Sequence, residues 1–278
     1  MIIDAIYTVQ KQKLLVNKSR FLFNKVVPEE NISSIERIFQ GYSNYVFKVF
    51  TDKGNYYKVR IGNHNELIDR VNEQNIFKNL NLEAIYYEIE TGNGVWHWID
   101  GRSLRFEEVN EEIIGKLVSL IEDIHSKGTV GVLQHDDLEF LNEDKLDFQN
   151  VVLYRRLVNK YKKEIRVLSH NDVSLSNLIY EPKTGELTLI DYEWGRVNHP
   201  YWDYGNFVKE SNLSKELMIL LAQEANLSLY KLYEFAIIAT LYSFQLSFVF
   251  KEQTIGLQEY RNRLSNQLLR YKECLWSK

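Results

Sequence analysis

The sequence predicts an α+β chain with a small, strand-rich amino-terminal lobe over residues 1–98 and a larger, mainly helical carboxy-terminal lobe over residues 99–278. Three observations carry that prediction. Before residue 100 the chain consists of short segments rich in β-branched and aromatic residues, separated by turns containing Gly and Asn. After residue 105 apolar residues recur at intervals of three and four, the spacing of amphipathic helices. A single strand–turn–strand pattern, around Pro182-Lys183-Thr184-Gly185, interrupts the helical half.

The elements follow in order. Residues 34–40, 45–51 and 56–61 read as strands, the last two joined by the hairpin turn Asp52-Lys53-Gly54-Asn55. Residues 66–80 contain no Gly or Pro and place Leu67, Val71, Ile76, Phe77 and Leu80 near helical spacing, so they read as one helix. Residues 84–90 and 95–99 flank the turn Thr91-Gly92-Asn93-Gly94 and complete a five-stranded sheet. Ile113, Leu117, Leu120 and Ile124 mark a helix with Gly128 as its stop, and Val151, Tyr154, Val158 and Tyr161 mark the next. Residues 216–250 and 256–276 read as long helices, while residues 1–30 receive no assignment.

A chain of 278 residues suits two unequal lobes with a cleft, and its apolar share of 45% and charged share of 26% exclude disordered, collagen-like and membrane classes. The net charge of -4 and the absence of a Lys/Arg-dense run argue against nucleic acid as a partner and suit a small cationic ligand. No apolar run reaches the ~18 residues of a spanning helix, so membrane insertion is not expected. The segment Met1-Ile2-Ile3-Asp4 lacks the features of a secretory signal, and a cytoplasmic location is the expectation. Cys274, the single cysteine, excludes an internal disulfide and reads as a buried or half-buried helix residue.

The chemistry concentrates in His170-Asn171-Asp172-Val173-Ser174-Leu175-Ser176-Asn177 and in Leu189-Ile190-Asp191-Tyr192-Glu193-Trp194. Phosphoryl transfer asks little covalent work of a protein. It asks for Mg2+ held against phosphates by hard oxygens, and for an acceptor hydroxyl aimed in line. An Asp, an Asn five residues later and a second Asp after the next strand supply that set, and Asp172, Asn177 and Asp191 follow this order. Singly, each residue reads as a turn cap or a strand end; the combination points to catalysis. Strand alternation turns Glu193 to solvent if Asp191 faces the cleft. His125 and His170 read as residues that hold backbone in place.

These motifs, together with Trp202-Asp203-Tyr204-Gly205-Asn206-Phe207, resemble the choline/ethanolamine kinase family. The resemblance covers nearly the whole chain and takes in Gly41-Tyr42-Ser43-Asn44, Val59-Arg60-Ile61 and Ile99-Asp100-Gly101-Arg102. It implies a bilobal protein-kinase-like fold and transfer of the γ-phosphoryl group of ATP to the hydroxyl of choline. Ethanolamine, thiamine and an aminoglycoside are alternative acceptors, and a non-catalytic nucleotide-binding protein is a further alternative.

By that resemblance Asp172 orients or deprotonates the hydroxyl, Asn177 and Asp191 hold Mg2+, and Arg60, paired with Glu73, contacts the nucleotide phosphates. Lys58 lies on the same strand face and competes with Arg60. Ser43 and Asn44 would bind phosphate through backbone N–H groups and the Ser43 hydroxyl, and adenine would lie along residues 95–99, bounded by Val95 and Ile99. Trp96 and Trp98 are expected to pack the sheet. Trp194 and Glu210 fall on choline-pocket positions, and Tyr242, with Phe244, Phe248 and Tyr260, is a candidate to complete an aromatic cage. Eukaryotic members carry a tryptophan pair where this chain has Leu241-Tyr242-Ser243-Phe244. Asp203 is expected to brace the catalytic loop.

Overall fold

The computed structural model describes residues 2–38, 44–63, 66–250 and 254–276. The chain divides into two compact units, residues 1–100 and 101–278. An antiparallel sheet dominates the first and helices dominate the second.

The first unit runs α1 (Ile2–Val26), β1 (Ile32–Ile38), β2 (Asn44–Thr51), β3 (Tyr56–Gly62), α2 (Arg70–Leu80), β4 (Tyr86–Tyr87) and β5 (Gly94–His97). The strands form one five-stranded sheet in the order β1-β2-β3-β5-β4. Register is set by the β2–β3 hairpin, with Phe50 opposite Tyr56 and Asn44 opposite Gly62. Phe47, Val49, Tyr57, Val59, Ile61 and Val95 project into a core closed by Leu15, Leu22 and Phe23 of α1. The amino-terminal stretch that the sequence reading leaves without a role is therefore a helix covering one face of the sheet. Leu15, Ser19, Leu22 and Phe23 recur at the i, i+4, i+7, i+8 spacing of a buried stripe.

Most boundaries shift by a residue or two from the sequence reading, and two shift further, each with a local cause. The helix expected over 66–80 begins at Arg70, because the Asp69 side chain accepts the Asn72 N–H at 2.9 Å and caps it. The strand expected over 84–90 shrinks to two residues. The Glu88 carboxylate accepts the Asn93 side-chain amide at 3.0 Å, and the Gly92 N–H reaches the Glu88 carbonyl at 2.8 Å, so the chain turns early.

The second unit contains β6 (Arg102–Ser103), α3 (Glu111–His125), α4 (Phe148–Tyr161), β7 (Val167–Ser169), β8 (Leu178–Glu181), β9 (Glu186–Leu189), β10 (Arg196–Asn198), α5 (Tyr201–Ser211), α6 (Lys215–Glu224), α7 (Leu229–Leu246) and α8 (Ile255–Trp276). Strands β6, β8 and β9 form one small antiparallel sheet, and β7 pairs with β10 in another. Helix α7 is buried on nearly all sides, between α5 and α8. Gly205 permits the α5–α7 approach: a Cβ there would lie 2.8 Å from the Phe235 carbonyl carbon.

The continuous helix expected over 216–250 is divided. Asn226 adopts a left-handed conformation (φ 50°), and the Ser228 hydroxyl then caps a new helix by accepting the Lys231 N–H. Cys274 is half-buried on α8. Among the described residues, no helix is long and apolar enough to cross a membrane.

Candidate active site

Strand β7 delivers the chain into a loop whose backbone is held almost atom by atom. Asp203, fully buried in the first turn of α5, accepts the His170 N–H at 3.0 Å and the Asn171 N–H at 2.7 Å. His125 Nε2 lies 3.0 Å from the same carboxylate. The Asn206 side-chain amide donates to the Val173 carbonyl at 3.2 Å, so α5 grips both sides of the Asp172 position. Asn171 sits at φ 64°, a left-handed conformation that asparagine tolerates better than most residues.

His170 completes the brace. Its Nε2–H donates to the Ile190 carbonyl at 3.0 Å, which leaves Nδ1 to accept the Asp172 N–H at 3.2 Å. Burial keeps its pKa below the ordinary value, against the pull of Asp203, so the ring is neutral and serves this geometry.

Asp172 and Asn177 are in direct contact. The Asn177 side-chain amide donates to the Asp172 carbonyl oxygen and to its Oδ2, each at 2.9 Å. The Asn177 carbonyl in turn accepts the Ile190 N–H at 2.9 Å, which draws the outgoing end of the β8–β9 hairpin back to the loop. Asp191 follows immediately, at φ 70° and ψ 68°.

That left-handed residue starts a short 3-10 turn, Tyr192–Trp194, and so ends the strand alternation. Glu193, expected to face solvent, is instead 2% exposed. Trp194 is half-buried, and its carbonyl accepts the Asn171 side-chain amide at 3.1 Å.

Asp172 has its pKa pushed up to about 7, first by burial and then by the charges of Glu210 and Asp191. Lys209 and the Asn177 hydrogen bond oppose this rise. Glu210 moves the other way. Burial alone would raise it, but Lys209, Arg263 and the Tyr260 hydroxyl bring it down to about 2.

The Glu210 contacts are close: Lys209 Nζ and the Tyr260 hydroxyl reach Oε1 at 2.8 Å each, and Arg263 Nη2 reaches Oε2 at 2.9 Å. Lys209, only 2% exposed, also donates to Asn206 Oδ1 at 2.7 Å and Ser243 Oγ at 2.5 Å. Tyr242 lies in an aromatic cluster with His135, Phe140 and Trp202.

The first unit carries a second charged network. Arg60 and Glu73 form a bidentate pair, Nη1–Oε1 at 2.7 Å and Nη2–Oε2 at 3.1 Å, with Arg60 Nε donating to the Gly92 carbonyl at 2.9 Å. Arg70 donates to Glu73 at 2.8 Å and to Asn44 Oδ1 at 2.8 Å, and the Tyr87 hydroxyl reaches Glu73 Oε2 at 2.7 Å. With Glu73 fully buried, these donors offset its desolvation and hold its pKa below the ordinary value.

Lys58 lies over the Trp96 ring at 5.5 Å, and Lys48 over Trp98 at 4.5 Å. Val95 is wholly buried opposite Val59, while Ile99 is 43% exposed. The remainder of the expected phosphate loop, Ser43 included, lies outside the described residues.

Asp172, Asn177, Asp191 and Glu210 therefore share one electrostatic neighbourhood, while Arg60, Glu73 and Asn44 share another. Sequence reasoning missed Arg70, although its i, i+3 spacing from Glu73 is a standing signal for a helix ion pair. It also missed Lys209, the neighbour of Glu210 in sequence. Arg263 gave no signal, since its contact with Glu210 depends on how α5 packs against α8.

Hard-oxygen chemistry suits a divalent metal at Asp191 and the Asn177 amide oxygen, the polar atom left over once Nδ2 is committed to Asp172. Among the described residues no group of three or more His, Cys, Asp or Glu side chains forms an alternative metal site.

A β-rich unit followed by a helical unit matches the protein-kinase-like fold seen in choline kinases and aminoglycoside phosphotransferases. The choline kinase LicA of Streptococcus pneumoniae superposes with a TM-score of 0.69 over 92% of this chain and 100% of that one, at 20% identity. LicA has also been solved in complex with AMP. Residues 135–234 match the choline/ethanolamine kinase family model. An uncharacterized MG356 homologue of Mycoplasma pneumoniae is 25% identical over 256 residues, 88% of each chain. Human ethanolamine kinase 2 is 26% identical over 168 residues, covering 52% of this chain and 43% of that protein.

Proposed function

We propose that this chain transfers the γ-phosphoryl group of ATP to the hydroxyl of a small amino alcohol, choline or its near neighbour ethanolamine. The observation that supports this best is the Asn177 amide gripping both the backbone and the carboxylate of Asp172, with Asp191 returned beside them by the hairpin. That is the arrangement in which one carboxylate meets the acceptor hydroxyl and an amide–carboxylate pair meets a metal.

In this reading Asn177 fixes Oδ2 of Asp172 and leaves Oδ1 to accept the hydroxyl hydrogen of the acceptor. The acceptor oxygen forms its bond to the γ-phosphorus as the bond from that phosphorus to the β–γ bridging oxygen breaks, and the hydroxyl proton passes to Asp172. A carboxyl poised near 7 is matched to taking a proton at neutral pH. Asn177 and Asp191 would hold Mg2+, whose charge would neutralise the phosphates. Arg60, oriented by Glu73, would contact the nucleotide phosphates, with Ser43 and Asn44 on the phosphate loop and residues 95–99 along the adenine. Trp194 and Glu210 would line the acceptor pocket, with Tyr242 behind it.

The test is magnesium-dependent release of ADP from ATP with choline, ethanolamine, thiamine, kanamycin or no acceptor, beside an Asp172→Ala control. Turnover stimulated by choline or ethanolamine and lost in the variant is the expected result. Turnover only with thiamine or kanamycin would reassign the acceptor, and acceptor-independent release would remove the proposal.

A further inference from the structure

A quaternary ammonium has no N–H, so its recognition rests on open aromatic faces and on carboxylate charge that is not already offset. Neither is freely offered at the Glu210 end of the proposed pocket. The Glu210 carboxylate faces two cations: Lys209 Nζ at 2.8 Å from Oε1 and Arg263 Nη2 at 2.9 Å from Oε2. Lys209 is only 2% exposed, so solvent does little to screen its charge. The Glu210 carboxylate is thus in direct contact with two positive charges.

The faces of Tyr260, Phe248 and Tyr242 are occupied as well. The Arg263 guanidinium lies 5.0 Å over the Tyr260 ring, and Phe248 has Arg261 at 4.4 Å and Lys145 at 5.3 Å. Tyr242 is enclosed by His135, Phe140 and Trp202 at 5.0, 5.4 and 5.3 Å. Arg263 stands apart from the rest because it does two things at once: it neutralises the carboxylate and covers a ring. With 37% of its side chain exposed, it reaches this position from the solvent edge of α8.

We infer that Arg263 is a specificity-determining residue that turns the acceptor site away from quaternary ammonium compounds and toward alcohols bearing a primary ammonium. A primary ammonium is smaller and carries three N–H donors. It bonds directionally to the lone pair that Oε2 of Glu210 retains beyond its Arg263 contact, and it does not depend on the Tyr260 face. A trimethylammonium group has no such bond to make and meets the guanidinium where it would seek the ring.

This inference rests on the proposed function above. The experiment compares kcat/KM for choline with kcat/KM for ethanolamine in the wild type, Arg263→Met and Arg263→Lys. The wild type is expected to prefer ethanolamine. Arg263→Met, which frees the carboxylate and the ring face, is expected to raise the choline-to-ethanolamine ratio about tenfold or more, equivalent to about 1.4 kcal/mol. Arg263→Lys keeps the charge and is expected to lie nearer the wild-type ratio. General structural damage lowers both values together and leaves the ratio in place.

A ratio that stays within about twofold in Arg263→Met, or a wild type that prefers choline, overturns the role of Arg263 while the proposed reaction stands. Absence of turnover with both acceptors in all three proteins overturns the proposed reaction itself, and this inference with it.

Discussion

Asn177 donates its side-chain amide to both the main-chain carbonyl and the Oδ2 of Asp172, at 2.9 Å each. One residue therefore sets the position of the carboxylate and presents its own remaining oxygen beside it. Asn177→Ala removes both effects. The expected outcome is a fall in kcat of about 10²-fold or more, with a higher Mg2+ concentration needed for half-maximal rate, measured by ADP release across a magnesium titration. A loss of kcat with no change in magnesium dependence would restrict Asn177 to positioning Asp172.

Asp203 contributes through backbone. Its carboxylate accepts the N–H groups of His170 and Asn171 from a fully buried position, so Asp203→Ala strands two donors and His125 together. The expected cost is about 2–4 kcal/mol of unfolding free energy, read from urea denaturation. Asp203→Asn retains acceptor capacity in one oxygen only and is expected to fall between wild type and Asp203→Ala.

How much of this was legible in the sequence depends on how local each relationship is. Asp172, Asn177 and Asp191 belong to one loop and one hairpin, so their order and spacing could be read against the kinase pattern without knowledge of long-range packing. The Arg60–Glu73 pair was reached through family resemblance, yet Arg70 and Tyr87, which complete the shell around Glu73, were not.

Glu193 was misplaced because strand alternation cannot anticipate a left-handed residue at Asp191. The helix break near Asn226 was lost because apolar residues continue through it and only the Asn–Ser pair marks the stop. Helix α1 escaped notice because its buried residues Leu15, Ser19, Leu22 and Phe23 are interspersed with the exposed lysines Lys13, Lys18 and Lys25. The pairing of Glu210 with Arg263, across 53 residues, required the packing of α5 on α8 to be known.

The Glu73 network carries the next prediction. Glu73 is fully buried and compensates Arg60 and Arg70 at once, so Glu73→Ala leaves two guanidinium groups without their common carboxylate. A loss of about 3–5 kcal/mol in unfolding free energy is expected. In protein that remains folded, a raised KM for ATP with little change in acceptor KM is the expected kinetic signature. Equal loss in both parameters would place the network in the fold alone.

Burial, followed by the charges of Glu210 and Asp191, holds the Asp172 carboxyl near 7, above its usual 3.8. If Asp172 takes the hydroxyl proton, kcat/KM for the acceptor rises with pH through about 7, since only the ionised form can accept it. The stability contribution has the opposite sign. Between 3.8 and about 7 the native carboxyl binds more protons than the unfolded chain, so this group's contribution declines as pH rises across that window. Glu210, held at about 2 rather than 4.5, contributes stability that is present above 4.5 and lost as pH falls toward 2. Glu210→Gln removes a negative charge beside Asp172 and leaves Lys209 less compensated; both effects move the kinetic limb to lower pH. A pH–rate profile of wild type and Glu210→Gln, with circular dichroism at each pH to confirm folding, checks this directly. A limb that stays in place in the variant would separate the kinetic group from Asp172.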